Sequence, residues 1–323
     1  MNPAIERCLR AGARAEAVET VAAWWPRWQS TGGARPIERA IAGGFAADRV
    51  AWAFAAGYQA ALRALVPDLP ADTLAAFCVT EDGGNRPRDI QTTITHHADG
   101  GVTFSGAKRW TTLGPDSSLL LVVGREADTG SSTGADSERD AGARPVLRVA
   151  CVPAGTPGLG LVAMPPTRFV PEVAHARVQL ADVRLPGSAL LPGDGYDRFV
   201  KPFRTIEDIH VTAAVLAYLL REARARAWPA GLCERSVAAL SVLVAAAEGP
   251  VDAPGTHVLL EGALAWAHQL YADAAALWAQ VGDEPAALRW QRDAALFAVA
   301  GSARARRAAR AWERLSTEGE AHE

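Results

Sequence analysis

The 323-residue sequence has only four cysteines, Cys8, Cys78, Cys151 and Cys233, and no two of them form a C-x-x-C pair. That spacing argues against a disulfide framework and a zinc site, and each thiol sits in an apolar or helical context suited to a reduced cysteine. Histidine is scarce too. The seven present never fall in H-x-x-x-H or H-E-x-x-H spacing, so no metal is expected. No apolar run reaches the ~20 residues needed to cross a bilayer, and no membrane span is expected. The first fourteen residues carry Glu6, Arg7, Arg10 and Arg14 without an apolar h-region, so the expectation is a cytoplasmic protein without a secretory signal. A net charge of −3 and a pI near 6.2 argue against a general nucleic-acid binder.

What is present is apolar residues, 49% of the chain, enough for two domains or one large layered unit. Alanine, leucine and arginine dominate both ends, while valine and threonine rise in the middle. The N-terminal part, 1–75, reads as helical. Glu6–Trp25 is taken as a helix stopped by Pro26. Pro36–Ala47 and Ala51–Leu65 follow, with Trp52, Ala55, Tyr58 and Leu62 at helical spacing.

From Phe77 the period changes to two. Strands are expected at 90–95, 102–105, 119–123, 146–152 and 176–180, joined by Gly- and Pro-containing turns. They make a small antiparallel barrel or sandwich over 76–196, with 126–144 as a polar, mobile hairpin insert. After Pro192-Gly-Asp-Gly195 the chain returns to helices over 197–323, expected at 205–226, 234–247, 257–281 and 285–315 as an antiparallel bundle. Thr205-Ile-Glu-Asp208 has the form of a capping box with Thr205 as N-cap. The fold class is α+β. The run Arg304-Ala-Arg-Arg-Ala-Ala-Arg310 spreads around a helix and reads as a solvated or dimer-facing surface.

Two segments carry a resemblance. Phe77-Cys-Val-Thr-Glu81, followed by Gly83-Gly84, and Gly106-Ala-Lys-Arg-Trp-Thr-Thr-Leu-Gly114 resemble the paired flavin motifs of the acyl-CoA dehydrogenases. Ala181-Asp-Val-Arg-Leu-Pro186 with Leu190-Leu-Pro-Gly193 is similar to that family's exit from its β-domain. The likeness covers about 75–225. It implies an FAD-dependent oxidoreductase of fatty acid metabolism that introduces an α,β double bond into an acyl-CoA or acyl-carrier thioester. It further implies an electron-transfer protein as partner and a homodimer or larger homo-oligomer.

By the same resemblance Phe77, Val79, Thr80, Trp110 and Thr112 lie at the flavin, and the Gly83-Gly84 turn lets backbone N–H groups approach a phosphate or the ribityl chain. The chemistry of those residue types agrees. An indole can pack on a flat ring, and threonine hydroxyls can donate to its polar edge.

Departures are equally legible. Arg86 and Pro87 stand where the family turn has Ser and Asp. The Arg-x-x-Phe-Gly segment that binds adenosine is missing after Arg224. Ala300 occupies the place of the C-terminal catalytic glutamate, and alanine accepts no proton. Relatives of the isovaleryl-CoA type carry the base on the first helix after the β-domain, which makes Glu207 the candidate base. The bland alternative is a carboxylate at helix position N2 that complements the dipole. Two further readings stand: a flavin oxidase or monooxygenase on the same scaffold, or a non-catalytic partner subunit.

Overall fold

The computed structural model describes residues 1–127, 144–282 and 284–320. The core of the proposed insert at 126–144 and the break at Asp283 therefore lie outside the described residues. The chain divides into two compact units. One is helical and gathers Met1–Ala71, Thr167–Val173 and Pro202–Glu323. The other holds the sheet and comprises Asp72–Pro166 and Ala174–Lys201.

The helical unit begins with α1 (Pro3–Arg10) and α2 (Val21–Ser30). These replace the single helix expected over Glu6–Trp25, and Pro26 does not end it. Residues 11–20 are not helical, because the Thr20 hydroxyl accepts from the Ala23 N–H at 3.2 Å and caps a fresh helix. Pro26 is the sixth residue of α2 and sits on its exposed side, while Trp24 and Trp28 on the opposite side are buried.

Next come α3 (Pro36–Ala46) and α4 (Val50–Leu65), which is buried almost all round. The long α5 (Lys201–Ala225) packs against both. A Cβ on Gly44 would strike the Ala214 carbonyl, and one on Gly57 would lie 2.5 Å from Val211 Cα, so glycine lets the helix backbones touch.

The C-terminal part holds α6 (Ala230–Glu248), α7 (Pro254–Val281), α8 (Pro285–Asp293) and α9 (Gly301–Glu320). The helix expected over 285–315 is thus split by a 3-10 turn at Ala294–Ala298 and by Ala300, whose φ is +65°. By length and composition alone α6 could cross a membrane; Leu240 and Leu243 are among its buried residues, and the helix packs on α7.

Thr167–Val173 is held in the helical unit by charge. Arg292 binds Glu172 at 2.9 Å and Asp293 at 2.7 Å, and the wholly buried Asp293 accepts the Val170 N–H at 2.7 Å. Arg49, also buried, joins the group through Asp48, Glu19 and Glu172.

The β-unit is one curled, mixed sheet of seven strands: β1 (Ala75–Cys78), β2 (Thr93–His96), β3 (Gly101–Thr112), β4 (Leu119–Glu126), β5 (Leu147–Pro153), β6 (Leu159–Ala163) and β7 (His175–Pro186). Four pairings are antiparallel, as the alternation implies. Two, β1 with β4 and β2 with β4, are parallel.

Val102 and Phe104 of β3, Leu120 and Val122 of β4, and Val178 and Leu180 of β7 form its core. On β7 the inward set shifts from Val178 and Leu180 to Val183 and Leu185. Asp182, at φ +52°, sits in a bulge opposite Ser105 and hydrogen-bonds its hydroxyl at 2.7 Å. One extra residue turns the alternation over.

Candidate active site

The motif residues of the β-unit converge at the end of β1 and the far end of β3. Past β1, the Thr80 carbonyl accepts the Arg109 N–H at 2.8 Å, which holds Val79 and Thr80 beside β3. There the β3–β7 register slips between Lys108 and Thr111, and Trp110 takes a left-handed φ of +59°. A bulge of this kind re-aims a side chain. Lys108 points into the core, whereas the Trp110 residue is 46% exposed, an unusual degree for an indole.

Thr80 and Thr112 are half-buried, and Thr112 Oγ1 lies 3.4 Å from Nε2 of His175, whose ring meets Trp110 edge-on at 6.1 Å. The Arg109 guanidinium carbon lies over the same indole, 5.0 Å from its centre, and the part of the ring left exposed, with the two threonine hydroxyls, is a set that fits a flat ring with one polar edge. Phe77 lies within β1, buried and registered on Leu121. Val79 is half-buried.

The glycine turn is closed on itself. Glu81 and Gly84 exchange both backbone hydrogen bonds, at 2.8 and 3.1 Å, so the Gly84 N–H is engaged inside the turn. Gly84 has φ +134°, and a Cβ there would lie 2.5 Å from Asp89 Oδ2. Its glycine is thus required by the turn itself. Gly83 is exposed and is the backbone position of the pair turned to solvent.

Sequence reasoning passed over what anchors this region. Glu81 is buried, and its Oε1 accepts from Lys108 Nζ at 2.6 Å, from the Thr92 hydroxyl at 2.8 Å and from the Thr92 N–H at 3.0 Å. Its Oε2 accepts the Gln91 N–H at 2.7 Å. Burial alone would raise the Glu81 carboxyl, but the Lys108 charge and these donors outweigh it and hold it below the usual carboxylate range. Burial pulls Lys108 down, with Glu81 opposing. These contacts also explain why 90–92 is not strand: two of its N–H groups go to Glu81. The legible signal was a lysine at an inward position of a strand. Outside, Asp82 bridges Arg109 at 2.8 Å and Arg177 at 3.2 Å.

The candidate base belongs to the helical unit. Thr205 is not an N-cap. The chain is already helical from a π-turn at Tyr196–Val200, where Asp194 Oδ1 accepts the Tyr196 and Asp197 N–H groups at 2.9 and 2.8 Å, and α5 starts at Lys201. Asp194 supplies the cap that Thr205 was assigned.

Glu207 is then the seventh residue of α5, beyond the first turn to which the dipole effect is confined. It is half-buried, and burial, with Asp208 adding, pushes its carboxyl up to about 7. The charges of Arg304 and Arg204 moderate the rise.

Ala300 heads α9, its carbonyl accepting the Ala303 and Arg304 N–H groups at 3.0 and 3.1 Å. Arg304 then reaches Asp208 Oδ1 at 2.7 Å. Arg304, in the first turns of α9, thus binds the residue next to Glu207 in α5. His210, one turn on, is buried; its Nδ1 lies 2.7 Å from the Ile206 carbonyl, and burial pushes it down to about 4, so it stays neutral.

No family model and no curated protein matches the sequence. Solved structures do match in shape. Butyryl-CoA dehydrogenase from Megasphaera elsdenii superposes with a TM-score of 0.68 over 95% of this chain and 92% of that one, at 16% identity. The fold is that of the acyl-CoA dehydrogenases. A chain of the electron transferring flavoprotein of Acidaminococcus fermentans gives 0.66 over 96% of this chain and 95% of its own, at 15% identity. Glutaryl-CoA dehydrogenase from Mycobacterium smegmatis, in complex with FADH2, gives 0.60 over 83% and 76%, at 13% identity. The acyl-CoA dehydrogenase fold thus accommodates this chain at a sequence distance where only the shape is shared.

Proposed function

We propose that this protein is an FAD-dependent oxidoreductase that dehydrogenates an acyl-CoA or acyl-carrier thioester between its α and β carbons, with Glu207 as the base. The observation that carries the reading is the Glu207 carboxyl. It is half-buried and raised to about 7, and its neighbour Asp208 is bound by Arg304 of α9, the helix headed by Ala300, which carries no acid.

Ionised Glu207 takes the α-proton and keeps it on a carboxylate oxygen while the carbon–carbon double bond forms. A base with a value near 7 suits that work at neutral pH. FAD, when bound, accepts the β-hydrogen with its electron pair. In the β-unit the face of Trp110 would hold the ring, and the hydroxyls of Thr80 and Thr112 would donate to its polar edge. Phe77 and Val79 shape the strand end behind them, and the exposed Gly83 would approach the ribityl or phosphate portion. An electron-transfer protein would be the electron acceptor. A homodimer or larger homo-oligomer is part of the reading, and exposed Trp312 and Leu315 of α9 offer apolar surface for it.

The test is the visible spectrum of purified protein, with added FAD, before and after a panel of acyl-CoAs. Bleaching in the native protein and none in Glu207→Gln supports the reading. A bound flavin that bleaches equally in Glu207→Gln removes Glu207 from the chemistry. Flavin that binds, ignores every thioester and consumes oxygen favours an oxidase. No flavin at saturating FAD favours the non-catalytic partner subunit, the reading for which the closed Glu81–Gly84 turn and Ala300 speak.

A further inference from the structure

Helices α5 and α9 meet through paired side chains. Thr205 and Asp208 lie on α5 and Arg304 and Arg307 on α9, each pair three residues apart and so on one face of its helix. Arg304 donates to Asp208 Oδ1 from Nε at 2.9 Å and from Nη2 at 2.7 Å. Arg307 Nη1 lies 2.8 Å from Asp208 Oδ2 and 3.5 Å from the Thr205 hydroxyl.

One arginine would neutralise Asp208. The second adds a surplus positive charge, and its Nε and Nη2 are out of solvent with no partner among the described residues. Each donor left in that state costs roughly 1–3 kcal/mol, so stability does not account for Arg307. What the surplus does alter is the field at the next residue, Glu207.

Burial and the Asp208 charge both favour the protonated form of Glu207, while Arg304 and, on its own helix, Arg204 oppose them. His210, one turn on, is buried and neutral. On α7, which packs against α9, His257 sits 2.9 Å from the Val251 carbonyl. Burial first, with the Arg307 charge adding, holds it below its ordinary value. Both histidines therefore stay uncharged at neutral pH, and the charge beside Glu207 is set by Asp208 and the arginines.

We propose that Arg304 and Arg307, clamping Asp208 from α9, are positioning residues that fix the charge beside Glu207 and keep it able to take a proton at neutral pH. The proposal rests on the reading of Glu207 as the base. It adds that α9, which carries no acid at Ala300, serves the base on α5 through its cations.

Urea unfolding from pH 4 to 9 tests it, each protein being compared with its own Glu207→Gln counterpart. The stability difference changes with pH above the ordinary carboxylate value and levels off once Glu207 is ionised in the fold. In Arg304→Gln the levelling point should rise by at least about half a pH unit, because Asp208 has lost a counter-charge. Arg304→Lys should restore it. Arg307→Gln should move it upward too, and stands in for Arg304→Gln if that variant does not fold. Asp208→Asn leaves both arginines without their anion and should move it downward. If the thioester reaction is as proposed, the rise of kcat/KM with pH shifts in the same directions.

Levelling points that stay put, or that Arg304→Gln and Asp208→Asn move the same way, would overturn the clamp, since a purely structural role costs stability without opposite shifts. Unfolding needs neither flavin nor thioester. Bleaching that does not depend on Glu207, with levelling points that still move as expected, would instead overturn the proposed reaction.

Discussion

Nζ of Lys108 lies 2.6 Å from Oε1 of Glu81, and the lysine side chain is wholly withdrawn from solvent. A buried pair of this kind is costly to break from one side, because the survivor is left charged in a medium that cannot solvate it. Glu81→Gln should cost about 3–5 kcal/mol in urea unfolding. Lys108→Met should cost less, since Glu81 keeps the Thr92 and Gln91 donors. Equal and small losses would show that the pair does not anchor the region. Because the Glu81 carboxyl is held low in the fold, its contribution is present above the ordinary value of 4.5 and is lost as pH falls through the folded value.

Glu207 has the opposite sign. Its folded value, about 7, stands above 4.5, so the native state holds an extra proton between those limits. Stability attributable to this group falls as pH rises through that window. Glu207→Gln should therefore raise the melting temperature at pH 8 and leave it nearly unchanged at pH 4, the difference amounting to at most about 3 kcal/mol. Identical shifts at both pH values would contradict the raised carboxyl. If Glu207 is the base, kcat/KM of the wild type also rises through pH 7.

Trp110 combines a left-handed backbone with a half-exposed side chain. Strain of about 1–2 kcal/mol is stored at such a residue, and little burial offsets it. Trp110→Gly should raise the melting temperature of the FAD-free protein and weaken FAD binding at least tenfold, as measured by flavin fluorescence. A variant that is less stable and binds FAD normally would reverse both assignments.

Asp293, with no exposed surface, serves Val170 N–H and Arg292 together. Val170 has φ +41°, costly for a β-branched residue, and is held there by that bond. Asp293→Ala should cost about 3–5 kcal/mol, and Asp293→Asn, which keeps an acceptor, markedly less. Limited proteolysis within 167–173 should speed up in the alanine variant only.

The fold was readable where one periodicity governs a whole element. Val102 and Phe104, or Trp52 and Tyr58, announce strand and helix by spacing alone. It was misread where a single polar side chain decides. Thr20 starts α2 and Asp194 starts the helical run before α5, and neither stands out among the many threonines and aspartates of the chain. Pro26 was read as a stop although only its exposed face had to tolerate the missing N–H. At the site, motif residues marked the end of β3, but the bulge that turns Trp110 outward depends on pairing with β7, some 65 residues later, and left no local trace. The role of Lys108 was not assigned from the sequence, because its partner, Glu81, lies 27 residues away along the chain.

The helical unit is assembled from three separate stretches of chain, the last beginning at Pro202. On a ribosome adding about 5–20 residues per second, α4 emerges on the order of ten seconds before α5, the helix its Gly57 is shaped to meet. In that interval the sheet can close, since its last strand ends at Pro186, while the apolar flanks of α3 and α4 that meet α5 have nothing to cover them. The nascent protein is thus a folded sheet trailing sticky helices, a natural client for a holdase chaperone. A message cut short after codon 201 would yield a product that aggregates through its N-terminus.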